Sequence, residues 1–119
     1  MKKLKLSIII FLFTLSVCLF CSTLTVKIMK QVEQYTNNVK IIQSKESARE
    51  LVDFWDKESK ILYVFIHHDI LDRITKNISK INAAIQKKDF EYAFIECECI
   101  LSLSKVLREY DDINLRNIL

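Results

Sequence analysis

A chain of 119 residues has room for one domain, and this one contains neither glycine nor proline. Without those residues it lacks the sharp turns that a sandwich, a barrel or a Rossmann fold needs, and it has no glycine-rich cradle for a nucleotide phosphate. The net charge of +3 resides on Lys2, Lys3 and Lys5, and from Lys27 onward 15 basic residues balance 15 acidic ones, so no basic surface for nucleic acid is encoded.

Between Lys5 and Lys27 lie 21 uncharged residues, Leu6 to Val26. As a helix they reach roughly 32 Å, enough to cross a hydrocarbon core of about 30 Å. The weakly polar members (Ser7, Thr14, Ser16, Ser22, Thr23 and Thr25) can bond back to their own helix. A cleaved signal peptide would have a shorter apolar run and a small-x-small site after it, which is not found here. A lipoprotein signal would need a small residue before Cys18 or Cys21, where Val17 and Phe20 stand. The reading is therefore an uncleaved anchor that meets the lipid bilayer through residues 6–26, with Cys18 and Cys21 as small apolar residues. Three lysines precede the span, and Lys27 and Lys30 follow it. The positive-inside rule then favours a single-pass protein of the cell membrane with a cytoplasmic N-terminus and an extracytoplasmic body.

After the span, Met29, Val32, Thr36, Val39 and Ile42 recur by threes and fours, which predicts a helical stalk over 27–44, with Asn37-Asn38 as a point of interruption. Ser47-Ala48-Arg49-Glu50 reads as a capping box that opens the next helix. That helix carries Leu51, Trp55, Leu62, Phe65 and Ile66 on one face, with Trp55 as core rather than as an interfacial anchor. An isoleucine stripe then runs through Ile66, Ile70, Ile74, Ile78, Ile81 and Ile85. The two stripes are offset by roughly a quarter turn, which predicts a break near His67–Asp69. Lys87-Lys88-Asp89 predicts a turn, with Asp89 as N-cap of a last helix from Phe90 to Tyr110. Asp111-Asp112 should end that helix and leave a short tail. The fold class is all-α: an N-terminal transmembrane helix (1–26), the stalk (27–44), and a small antiparallel helical hairpin or three-helix bundle (45–119).

The residues Trp55, Ile66-His67-His68-Asp69-Ile70-Leu71-Asp72-Arg73-Ile74, Lys88-Asp89, Ala93 and Asn114-Leu115-Arg116-Asn117-Ile118-Leu119 carry a resemblance. The chain resembles a family of small single-span helical proteins from low-GC spore-forming bacteria, catalogued as a domain of unknown function. The resemblance covers nearly the whole chain. It implies a helical, membrane-attached protein and brings no activity, substrate or catalytic residue.

One cluster has ligand-like chemistry: His67, His68, Asp69 and Asp72. On a helix His68 and Asp72 stand at i, i+4, close enough for an imidazole–carboxylate hydrogen bond that pins a helix face at the break. A metal would need a third and fourth ligand, for which Glu96, Cys97 and Glu98 are the candidates, although no recognised metal spacing is present. His67 is read as an edge-of-core residue. Cys97 and Cys99, two apart on a helix, point about 200° from each other and cannot close a disulfide. Cys97 is read as a small core residue on the face of Phe90, Ala93, Phe94 and Leu101. The last helix also has a second apolar face of Tyr92, Ile95, Cys99, Leu103, Val106 and Tyr110. This face is expected to be covered by the 47–65 helix, which would leave Cys99 buried.

No catalytic, cofactor-binding or metal residue is assigned, and no enzyme, cofactor, nucleotide or nucleic acid is expected. The leading expectation is a membrane-anchored structural or protein-interaction module of the cell envelope, with a protein partner or self-association. The alternative is a ligand- or metal-sensing helical bundle that uses the His/Asp cluster.

Overall fold

The computed structural model describes residues 2–118, with side chains described for 2–64 and 66–109. Four helices follow one another: α1 (Lys2–Ile42), α2 (Lys45–Phe65), α3 (His68–Gln86) and α4 (Phe90–Ile118), with no strand among the described residues. Each helix packs against two neighbours in a ring, α1 on α2, α2 on α3, α3 on α4 and α4 back on α1. With short connections between them, this is an up-down-up-down four-helix bundle. It forms the broad end of a body 67 Å long and about 23 × 21 Å across.

The fourth helix of the bundle is the stretch read as a stalk. α1 runs unbroken for 41 residues, straight through Asn37-Asn38. Its distal half buries Thr25, Ile28, Met29, Val32, Thr36 and Val39, a stripe spaced by threes and fours that faces α2 and α4. Its proximal half meets no such cover. Leu6, Ile8, Ile9, Ile10, Phe11, Leu12 and Phe13 are all exposed, and its most apolar 18-residue window is unburied throughout. This half is long and apolar enough to cross a membrane. Thr14, Ser16 and Thr23 return their hydroxyls to the carbonyls of Ile10, Leu12 and Leu19, as expected of polar residues in an apolar helix.

The core is formed by Ala48, Leu51, Trp55 and Leu62 of α2, Leu71, Ile74, Ile78, Ile81, Ala84 and Ile85 of α3, and Ala93, Cys97, Ile100 and Leu107 of α4, packed with the α1 stripe. The isoleucine stripe is thus a core stripe from Ile74 onward, with Ile66 and Ile70 half-buried at its edge. The side chains of Phe65 and Tyr110 lie outside the described residues.

The connections show how a chain without glycine turns. Ser44, not Ser47, caps α2. The Ser44 hydroxyl accepts from the Ser47 amide at 3.1 Å, and the Ser47 hydroxyl receives the Ser44 amide at 3.3 Å. The capping box therefore starts three residues earlier than Ser47-x-x-Glu50 suggests, because a serine can fill both of its roles. Gln43 and Lys88 adopt positive φ, 54° and 62°, at the ends of α1 and α3. After α3 the Lys88 amide donates to Ile85 O and the Asp89 amide to Ala84 O, which is a Schellman close with lysine where glycine is usual. Asp89 then caps α4, its carboxylate accepting from the Tyr92 amide at 3.3 Å. α4 does not stop at Asp111-Asp112 but continues to Ile118.

Candidate functional site

The polar cluster at the α2–α3 break comes together through Tyr63 rather than as a His–Asp pair. Ile66 and His67 are extended, and this two-residue break reverses the chain. Tyr63, in the last turn of α2, donates its hydroxyl to Asp72 Oδ1 at 2.8 Å and lies 3.2 Å from Thr75 Oγ1. Thr75 accepts from Trp55 Nε1 at 2.8 Å and donates to Leu71 O. His68 Nε2 stands 3.0 Å from the Tyr63 carbonyl oxygen, with its ring edge-on to the tyrosine. Burial raises the Tyr63 phenol above its ordinary pKa, partly opposed by the Thr75 hydrogen bond and reinforced by Asp72. The expected His68–Asp72 bond is therefore replaced by two separate bonds to Tyr63.

His67 is not at the edge of the core. Its side chain is 81% exposed, 3.9 Å from an equally exposed Asp69. Glu96 and Cys97 are buried, while Glu98 turns to the surface and pairs with Lys40. The structure therefore does not bring the His/Asp cluster and the Glu96–Glu98 segment together. Among the described residues no three His, Cys, Asp or Glu side chains converge as a metal site would need. Trp55 is core, with its indole N–H satisfied by Thr75.

The α1–α4 contact is held by a second polar set. Ser104 Oγ lies within reach of Met29 O (3.4 Å) and Glu33 Oε1 (3.1 Å), and Arg108 meets the same carboxylate at 2.9 Å. Lys40 pairs with Glu98 and sits 4.8 Å from the centre of the Phe94 ring. These pairs fix the register of α4 along α1.

With α1 in the ring, α2 lies diagonally across from α4 and cannot cover its second apolar face. Ile95 is 53% exposed, Val106 57%, and Cys99 is exposed instead of buried. The row borders a groove of about 640 Å³ between α3 and α4. Ile95, Cys99 and Leu103 line one bank, and Arg73, Lys76 and Lys80 line the other. None of those three cations forms an ion pair with a described residue. The spacing of Arg73, Lys76 and Lys80 at i, i+3 and i+7 puts them in one row along two turns of α3. The sequence shows this row plainly, but only the packing order of the helices puts it beside the uncovered face of α4.

Comparison with known proteins adds a family whose function is unknown. A model of the domain of unknown function DUF4363 matches residues 13–118. The chain belongs to that family. No curated protein and no solved structure matches it. The matched region takes in all of the bundle and part of the apolar half of α1, so in this DUF4363 chain the groove and the exposed helix belong to one family unit.

Proposed function

We propose that the protein is a single-span, membrane-anchored interaction module of the cell envelope, and that its α3–α4 groove receives an acidic amphipathic helix of a partner protein. The observation that carries this reading is the pairing of an apolar row (exposed Ile95 and Cys99, half-buried Leu103) with a row of cations lacking ion-pair partners among the described residues (Arg73, Lys76, Lys80). An amphipathic helix laid into such a groove buries its apolar face on one bank and satisfies the cations on the other with carboxylates. A lipid surface is the less suitable occupant. Cys99 lies about 15 Å along the bundle from the last apolar turn of α1, well clear of a bilayer that holds residues 6–26.

The anchor is supported by the apolar run of α1, whose most apolar window is unburied and which meets the core only at its end through Leu24 and Thr25, and by the absence of a good cleavage site after it. The excess of Lys2, Lys3 and Lys5 over Lys27 and Lys30 supports an extracytoplasmic body. Full-length protein should stay in membranes through a carbonate wash, and protease added to intact protoplasts should degrade the bundle. A shorter, soluble product would refute the anchor, and a protected bundle would refute the orientation.

The groove is tested with a photo-crosslinker on Cys99 in cells, after Cys18 and Cys21 are replaced by alanine. The expected adduct maps to an acidic amphipathic segment of another protein and is lost in Lys76→Glu. An adduct between two copies of this chain, or one indifferent to the charge reversal, would overturn the proposed occupant.

A further inference from the structure

A second exposed apolar feature lies at the opposite end of α2 from its cap. Val64 is 81% exposed and Ile61 43% exposed, three residues apart and so on one face of the helix. Such residues are costly to leave in water unless something covers them. The register of the bundle says what does.

α1 and α2 are antiparallel, and Tyr35 stacks on Phe54 with ring centroids 4.7 Å apart. From that pair, about 15 Å along α2 leads to Val64 and the same distance back along α1 leads to Thr25. Thr25 lies within the uncharged run that closes at Val26. The tip of α2 and the turn that follows it therefore sit level with the last apolar turn of α1.

From this register we infer that the α2–α3 turn is a second membrane contact, with Ile61 and Val64 seated in the headgroup–acyl boundary of the bilayer that α1 crosses. The inference rests on reading α1 as the span. The chemistry along the same face fits an interface. Lys60 and Lys57 lie one and two turns above Val64, both exposed, where their long stems can reach headgroup phosphates. Exposed His67 and His68 follow it at the turn. The carboxylates there have other roles: Asp69 is in the first turn of α3, where the helix dipole favours it, and Asp72 accepts from Tyr63. At the other end of the bundle Ile41 and Ile42 are also exposed, but they lie more than 20 Å beyond Thr25 along α1, out of reach of the same bilayer.

The test places nitroxide labels on three single-cysteine variants of the full chain: Phe13→Cys, Ile42→Cys and Val64→Cys, with the native cysteines replaced. The protein is reconstituted in vesicles of phosphatidylcholine and phosphatidylglycerol in equal parts. Power saturation with oxygen and with a water-soluble nickel chelate reads depth. All three positions are exposed, so the labels leave the core intact. The expected order of oxygen-to-nickel accessibility is Phe13 highest, Val64 several times above Ile42, and Ile42 at the aqueous value. Val64 equal to Ile42 while Phe13 is in the hydrocarbon would overturn the contact and leave the anchor standing. An aqueous Phe13 would overturn both.

Discussion

The sharpest consequence of the fold is that α1 is as much a core helix as an anchor, and deletion tests this directly. Ile28, Met29, Val32 and Val39 are each no more than 2% exposed. Burying a side chain of that size contributes about 1.5–3 kcal/mol, so the four together supply roughly 6–12 kcal/mol. A domain of this size has only about 5–15 kcal/mol in total. Removing α1 also uncovers the faces of α2 and α4 that pack on it and leaves Arg108 without Glu33. A fragment of residues 44–119 is therefore expected to show helix by far-ultraviolet circular dichroism but no cooperative urea transition. A fragment of residues 25–119 should unfold in one cooperative step. Within the longer fragment, Met29→Ala should cost about 2–5 kcal/mol, the range for a truncated core side chain. A 44–119 fragment that unfolds cooperatively, or a Met29→Ala variant as stable as its parent, would show that α1 does not complete the core.

Other expectations concern the turns and the thiols. Lys88→Gly should stabilise the bundle by about 0.5–1 kcal/mol in urea denaturation, because lysine pays a steric cost at φ 62° that glycine does not; a destabilised variant would mean that the turn is not as described. Tyr63→Phe removes the bonds to Asp72 and Thr75 and should lower stability by about 1 kcal/mol, without changing the metal content of the purified protein. Cys99 should react with a maleimide in dilute protein at pH 8, whereas Cys97, buried and with its thiol pushed up to about 11 by that burial, should react only on unfolding. The folded state then holds the Cys97 proton more tightly than the unfolded chain. The associated stability is complete below the unfolded thiol value and falls as pH rises from there towards 11, by up to about 1.4 kcal/mol per pH unit. The wild-type minus Cys97→Ala difference in urea midpoint should shrink over that window; a flat difference would refute it.

The helices were legible because their apolar residues recur with a helical period, and a break beside His67 because two stripes fall out of phase, although it lies at Ile66–His67 rather than His67–Asp69. The bundle order was less legible. Met29, Val32, Thr36 and Val39 carry the right spacing, but nothing in sequence separates a helix that packs from one that merely leads away, since α1 has no breaker between its two halves. Read as a stalk, that helix leaves α2 as the natural cover for the outer face of α4 and puts Cys99 inside. In the structure α1 and α3 take both flanks of α4, and the outer face is left open. The His68–Asp72 spacing makes the two neighbours on one helix, yet Tyr63, from the preceding helix, reaches both residues first. Pairings between elements are invisible to spacing within one of them.

That α1 passes from Lys2 to Ile42 as one helix has a mechanical side. With no hinge between its two halves, the bundle cannot swivel independently of the segment below it. Seated in a bilayer, a thinner or thicker membrane would change the tilt of the rod, and a change of about 20° would swing a point 15 Å above the surface sideways by roughly 5 Å. That is comparable to one turn of helix. The groove between α3 and α4 would ride on a lever whose short arm is set by lipid thickness, and the reach of its occupant would depend on the membrane in which the protein stands.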